Sequence, residues 1–146
     1  MKIRKFIESD YQDLYDTISD PEVMIYIEPP YSAEQTKKFL FDYGICDDPF
    51  VFAAENDDGK YIGYVIYHDY DDQSMEIGWL LKRSEWGKGY AKELTKMMIE
   101  QAKREGKAVV IECDPEQQIT KHIAASFGFE YQGEEDDCSV YRLQNI

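Results

Sequence analysis

Glu76-Ile77-Gly78-Trp79-Leu80-Leu81-Lys82-Arg83-Ser84-Glu85-Trp86-Gly87-Lys88-Gly89-Tyr90-Ala91 is the stretch that decides the fold. Its first half has the apolar composition of a strand. Its second half is a glycine turn that opens a helix, because Tyr90, Ala91, Leu94, Met97, Met98 and Ala102 then recur on one helical face. A helix N-terminus leaves N–H groups unpaired and carries a partial positive charge. Gly87 and Gly89 have no Cβ, so an anion can approach the backbone closely. These features predict a phosphate or pyrophosphate site. A plain tight turn is the alternative reading of the same residues.

Outward from this stretch, the N-terminal side reads first as a strand at 2–7. A helix follows with a capping box on Ser9 and Gln12 and an apolar face of Tyr11, Leu14, Tyr15 and Ile18. Asp20-Pro21 breaks it, and residues 23–30 carry no clear period. Ser32 and Gln35 form a second box, heading a helix with Phe39, Leu40 and Tyr43 that Gly44 closes. Strands at 50–55, 61–70 and 75–81 are joined by short turns and read as an antiparallel meander. On the C-terminal side, the 90–106 helix leads to a buried-type strand at 109–113. A connection of that length normally joins parallel neighbours. Asp114, Pro115 and Gln117 are start signals for a helix over 114–127 with Ile119, Ile123 and Phe127 as its stripe. Residues 129–134 and 139–143 form a last hairpin. The order predicts an α+β fold: a mixed, mainly antiparallel twisted sheet of about seven strands with helices on both faces, in one domain over 1–146.

Composition narrows the function. With 16 Lys+Arg against 30 Asp+Glu, the net charge of −14 argues against nucleic acid and anionic membranes. No apolar run approaches the ~20 residues of a membrane span, and no apolar segment follows the basic start as a secretion signal requires. Three cysteines without CxxC spacing and two histidines give no zinc pattern and point to a reducing, cytoplasmic setting. The charge is uneven, however. Residues 82–107 hold eight bases and four acids, a net of +4, and the remainder carries −18. The positive segment is the proposed phosphate loop and its helix.

The P-loop pattern is absent, and a dinucleotide fingerprint would need Gly at Lys92. Glu112 could pose as that motif's ribose-binding acid, but one βαβ unit is too few for a Rossmann fold. Trp86-Gly87-Lys88-Gly89-Tyr90-Ala91 instead resembles the acetyl-CoA pyrophosphate loop of the GNAT superfamily of N-acetyltransferases, [QR]-x-x-G-x-[GA]. Gly89 and Ala91 fill its last two fixed places, and Trp86 stands where Gln or Arg is usual. The form looks most like the ribosomal-protein N-terminal acetyltransferase branch. Gln117-x-x-Thr120-x-x-Ile123-x-x-x-x-Gly128-Phe129 is similar to that branch's second motif, N-x-x-S-x-x-V-x-x-x-x-G-F. The element order agrees across essentially the whole chain.

The resemblance implies acetyl-CoA as cosubstrate, lying where the strand at 75–81 splays from the strand at 109–113. Backbone groups around Leu80, Leu81 and Lys82 would pair with the pantetheine arm, one of the N–H groups also polarising the thioester carbonyl. The amides from Gly87 through Lys88, Gly89 and Tyr90 to Ala91 would hold the pyrophosphate; Trp86, like Trp79, reads as a packing residue, with covering the cofactor loop as its alternative role. Gln117 and Thr120 would flank the thiol. The implied reaction is acyl transfer to an amine, which must first lose a proton. Glu76 is the candidate base, because a Glu on this strand often has that role in similar enzymes; the alternative is a solvated strand residue. Thr120 is the candidate partner of the leaving thiolate, with Tyr131 in reserve, since Ala124 stands where many members have a Tyr acid. The two histidines receive no role.

Two rival readings remain: a GNAT-like module that binds acyl-CoA without turnover, and an interaction domain whose turn binds nothing. The acidic turns at Asp69, Asp71, Asp72 and 134–137 suggest a cationic acceptor, such as a polyamine, an aminoglycoside-like amine or a basic peptide N-terminus. Analogy with the fold adds a homodimer through the sheet or last strand.

Overall fold

A computed structural model describes residues 1–144. It contains β1 (Lys2–Arg4), α1 (Tyr11–Ile18), α2 (Ala33–Phe39), β2 (Val51–Glu55), β3 (Tyr61–Asp71), β4 (Ser74–Leu81), α3 (Tyr90–Arg104), β5 (Ala108–Cys113), α4 (Gln118–Ser126), β6 (Glu130–Glu135) and β7 (Cys138–Leu143). The strands run β1-β2-β3-β4-β5-β7-β6 in a seven-stranded sheet. This is the expected α+β fold. The chain groups into two compact units, Met1–Ile66 with Trp79–Ala91, and Tyr67–Gly78 with Lys92–Ile146.

In the first unit β1 and β2 pair antiparallel, as do β2 and the start of β3. Phe6, Leu14, Ile18, Leu40, Val51, Ala53, Tyr61, Tyr64 and Leu80 form its core. Leu14 and Ile18 are the i, i+4 pair the helical period predicts. The Ser32 box forms as expected: Ser32 Oγ accepts from the Gln35 N–H at 3.2 Å, and Gln35 Oε1 accepts from the Ser32 N–H at 2.8 Å. The Ser9 box is not the device that starts α1. A 3₁₀ turn at Glu8–Asp10 precedes the helix, and the Asp10 carboxylate accepts the Ile7 N–H at 2.9 Å. Asp10 is also gripped by the Arg4 guanidinium at 2.8 and 2.9 Å. A forked, charge-assisted pair outcompetes a serine hydroxyl. Burial opposes ionisation of Asp10, yet Arg4 and the Ile7 N–H together hold its carboxyl below the usual range. A second departure is at the end of α2, which runs into a π turn at Leu40–Gly44.

In the second unit β4 and β5 pair parallel, as the helical connection predicts, while β5–β7 and β6–β7 are antiparallel. Ala108, Val109, Val110, Ile111 and Cys113 are all buried, the pattern of a strand covered on both faces. Leu94, Met98 and Ala102 bury the inner side of α3. The β6–β7 hairpin turns on Asp136 and Asp137 at φ 51° and 65°, a turn of the primed kind in which Asp replaces the usual Asn or Gly.

The last helix corrects the expected stripe. α4 begins at Gln118 because Asp114 and Gln117 close a turn ahead of it: Gln117 Oε1 accepts the Asp114 N–H at 2.8 Å, and Asp114 Oδ1 accepts the Glu116 N–H at 2.9 Å. Side chain-to-backbone bonds of this kind compete with helix. Ile119, in the first turn, is 76% exposed, while Ile123 and Ala124 are buried.

Candidate functional site

The glycine turn lies in the first unit. A 3₁₀ turn at Arg83–Glu85 leads from β4 to Trp86, and α3 starts at Tyr90. Gly87 and Gly89 adopt φ 77° and 82°, and beyond the adjoining residues no heavy atom lies within 4 Å of where a Cβ would stand on either. The backbone there is open to a ligand, and its left-handed conformation suits glycine. An anionic group bound at a helix N-terminus would need open backbone of this kind.

The charges around the turn are less free than the segment count implied. The Arg83 guanidinium forks onto Asp20 at 2.8 and 2.9 Å, Lys88 Nζ meets Glu85 at 2.7 Å, and Lys82 Nζ lies 3.6 Å from Asp13. These bases are paired with carboxylates, and exposed pairs of this kind contribute little to stability. Lys92 and Lys96 are exposed on α3.

The backbone of β4 is divided between its two edges. The Lys82 N–H donates to the Ile62 carbonyl of β3 at 2.9 Å. By strand alternation Leu80 turns its polar groups the same way, and Trp79 and Leu81 turn theirs to the opposite edge. There, Trp86 Nε1 donates to the Leu81 carbonyl at 3.1 Å, so the half-exposed indole is fixed over the strand end. Of the residues expected to meet a pantetheine arm, Leu81 therefore turns its polar groups away from β3, whereas the N–H of Lys82 is engaged with Ile62.

Glu76, Gln117 and Thr120 lie in the second unit. Residues 74–76 of β4 pair with 108–110 of β5, and Glu76↔Val110 is the last matched pair. Both strands run on beyond it. Glu76 thus stands where the parallel pairing ends. Its side chain is 23% exposed, and its Oε1 is 3.7 Å from His68 Nε2. Burial pushes the Glu76 carboxyl up, His68 pulls it down, and Glu112 adds a smaller upward push. Glu112, on β5, accepts the Tyr70 hydroxyl at 3.0 Å. Burial and Glu112 push the Tyr70 phenol up to about 12, so it stays a donor. Among the described residues no three His, Cys, Asp or Glu side chains form a metal site.

The other candidates fall as follows. Thr120 is half-buried on the first turn of α4. Gln117 spends its carbonyl oxygen on the Asp114 N–H. Ala124 is fully buried, so the place of a Tyr acid is packed core. Tyr131 is 54% exposed and packs on Tyr141, with ring centroids 5.4 Å apart. Burial raises the Cys113 thiol to about 11, which leaves it inert. Sequence reasoning gave His68 and Tyr70 no role and gave Glu112 only a role it then rejected. The one available signal was that β3, β4 and β5 would place these polar side chains on neighbouring strands.

The family model described as an acetyltransferase (GNAT) domain matches residues 1–130. The uncharacterised N-acetyltransferase YnaD of Bacillus subtilis is 27% identical over 135 residues, covering 90% of this chain and 79% of that protein. A GNAT-family acetyltransferase from Bacillus anthracis superposes with a TM-score of 0.83 at 24% identity, over 96% of this chain and 90% of that one. Spermidine N-acetyltransferase from Vibrio cholerae, solved with CoA and spermine, superposes at 0.79 with 19% identity, over 97% and 92% of the two chains. At these identities the structural likeness speaks to the fold.

Proposed function

We propose, from the premise that this chain belongs to the GNAT family and is an acetyl-CoA-dependent N-acetyltransferase, that its acceptor is a cationic primary amine deprotonated by Glu76. The observation that carries this reading is the half-buried Glu76 carboxylate at the end of the β4–β5 pairing, with Glu112 close enough to raise it. Residues 108–146 add a wider acidic field, with eight acids against two bases. Such a field draws a polycation and disfavours a neutral or anionic acceptor.

The chemistry follows from the residues. Glu76 takes one proton from the bound ammonium, and the free amine attacks the thioester carbonyl. The N–H groups of Trp79 and Leu81, which turn away from β3, would be the donors to the oxyanion. The tetrahedral intermediate collapses to the amide, a second amine proton goes to the departing thiolate, and Thr120 is the candidate to orient that sulfur. By the family resemblance, the amides from Gly87 to Ala91 would hold the pyrophosphate and Gln117 would flank the thiol. Spermine is what the Vibrio enzyme was solved with, and a polyamine is the first acceptor to try. The Trp86–Ala91 sequence, which resembles the ribosomal-protein branch, supports a basic peptide N-terminus as the second.

The test is charge removal on the last hairpin. Asn tolerates the same left-handed backbone, so Asp136→Asn with Asp137→Asn keeps the turn. In low salt the double variant raises KM for a polyamine about 3- to 10-fold, a gap that narrows as salt is added. An unchanged KM for a confirmed cationic substrate would overturn the steering role.

A further inference from the structure

We propose that His68 is the proton outlet and positioning partner of Glu76, an inference that rests on Glu76 being the base. His68 lies on β3 and Glu76 on β4, with Nε2 and Oε1 3.7 Å apart and both side chains only about a fifth exposed, 21% and 23%. The second ring nitrogen decides the chemistry. His68 Nδ1 is 3.0 Å from the carbonyl oxygen of Asp69. A carbonyl only accepts, so Nδ1 carries a hydrogen and donates it. In the neutral ring Nε2 is then the bare, basic nitrogen, and it is the one that faces Glu76.

At 3.7 Å the carboxylate and the imidazole nitrogen are just outside hydrogen-bond distance, and a small side-chain rotation that closes the gap lets them hold one proton between them. That suits a base that must be emptied after every turnover. The Glu76 carboxylate takes the proton from the ammonium, leaving a neutral amine and a carboxylic acid. The acid passes the proton to His68 Nε2, which restores the carboxylate and gives an imidazolium. The imidazolium releases it to solvent, and Nδ1–H stays on Asp69 throughout. The sum is one proton delivered from the amine to water, with no change in either residue.

The titratable groups of the neighbouring strands are engaged as follows. Glu112 of β5 is tied to the Tyr70 hydroxyl, which stays protonated. Cys138 of β7 lies in the field of Glu112, Asp114, Asp137 and Glu76, and burial with these carboxylates holds its thiol neutral. Asp69, on His68's own strand, is engaged through its main-chain carbonyl.

The test uses the full chain. ¹⁵N–¹H correlation spectra of the imidazoles, with the two histidines distinguished by His68→Ala, give the tautomer in the intact protein. The expected form for His68 is Nδ1–H, and an Nε2–H tautomer would overturn the proposal. His68→Ala should lower kcat/KM about 10-fold with acetyl-CoA binding unchanged. Because His68 favours the ionised form of Glu76, its loss moves the acid limb of the pH profile to higher pH. Added imidazole restores the rate in a saturable way, which a purely structural residue would not allow. If His68→Ala leaves rate and limb unchanged while Glu76→Gln removes the limb, the relay is wrong and the base stands. If Glu76→Gln keeps the limb, both fail.

Discussion

Glu76→Gln lowers kcat/KM for a cationic amine about 10²- to 10⁴-fold and removes the acid limb from its pH profile. The magnitude is that of a positioned general base. The amide is nearly isosteric, so it fills the same space on β4 and cannot accept the ammonium proton. The direction in pH follows from the surroundings of Glu76. Burial raises its carboxyl above the ordinary carboxylate range, and Glu112 adds to this while His68 opposes it. The active form is the carboxylate, so activity rises with pH through that raised value and falls away below it. The limb therefore sits at higher pH than an exposed Glu would give. Initial rates in wild type and variant, with acetyl-CoA saturating, check both points. A variant with wild-type rate and an intact limb removes Glu76 from the chemistry.

Gly63→Ala produces the largest expected loss of stability, about 3–5 kcal/mol from backbone strain plus overpacking. Gly63 lies in β3 at φ 152°, opposite Ala54, next to the register shift between Ala54 and Glu55 of β2. A Cβ there would stand 2.2 Å from the Leu80 carbonyl oxygen and 2.8 Å from the Leu81 Cα. Both are main-chain atoms of β4, next to the Lys82 N–H bond to Ile62. They cannot rotate away as a side-chain tip could. Gly59→Ala is the matched control. Its φ of 76° is also left-handed, but nothing lies within 4 Å of its Cβ position, so only the strain of about 1–2 kcal/mol remains. Against a typical domain stability of about 5–15 kcal/mol the first change is severe and the second is tolerated. Urea midpoints separate them, and equal losses would mean that the close approach to β4 is not what makes Gly63 necessary.

The difference between these sites also shows what was legible in the sequence. Ser32 and Gln35 cap α2 as read because the device is local, with both partners within one turn. The open glycine turn before α3 is local in the same sense, and the parallel β4–β5 pair follows from connection length alone. The start of α4 was misread for a local reason, the turn closed by Asp114 and Gln117; the other readings failed where a partner on another element intervened. Asp10 took the start of α1 because Arg4 on β1 and Glu55 on β2 assemble a charged network around it. Lys82 and Arg83 looked like free positive charge until Asp13 and Asp20, about seventy and sixty residues away, proved to be their partners. His68 gave no signal as a lone histidine, and only the placement of β3 beside β4 brings it to Glu76. Gly63 carried a hint, since an isolated glycine in a strand often marks a close backbone approach.

The most direct measurement of the central claim is an acetylation screen with acetyl-CoA against a panel of amines. Polyamines, aminoglycosides, basic peptides and neutral amines are compared by release of free thiol and by product mass. The expected result is one thiol released per acetyl group gained on a cationic primary amine, with neutral amines much slower. No thiol release with any amine class, or faster transfer to a neutral amine, would contradict the account.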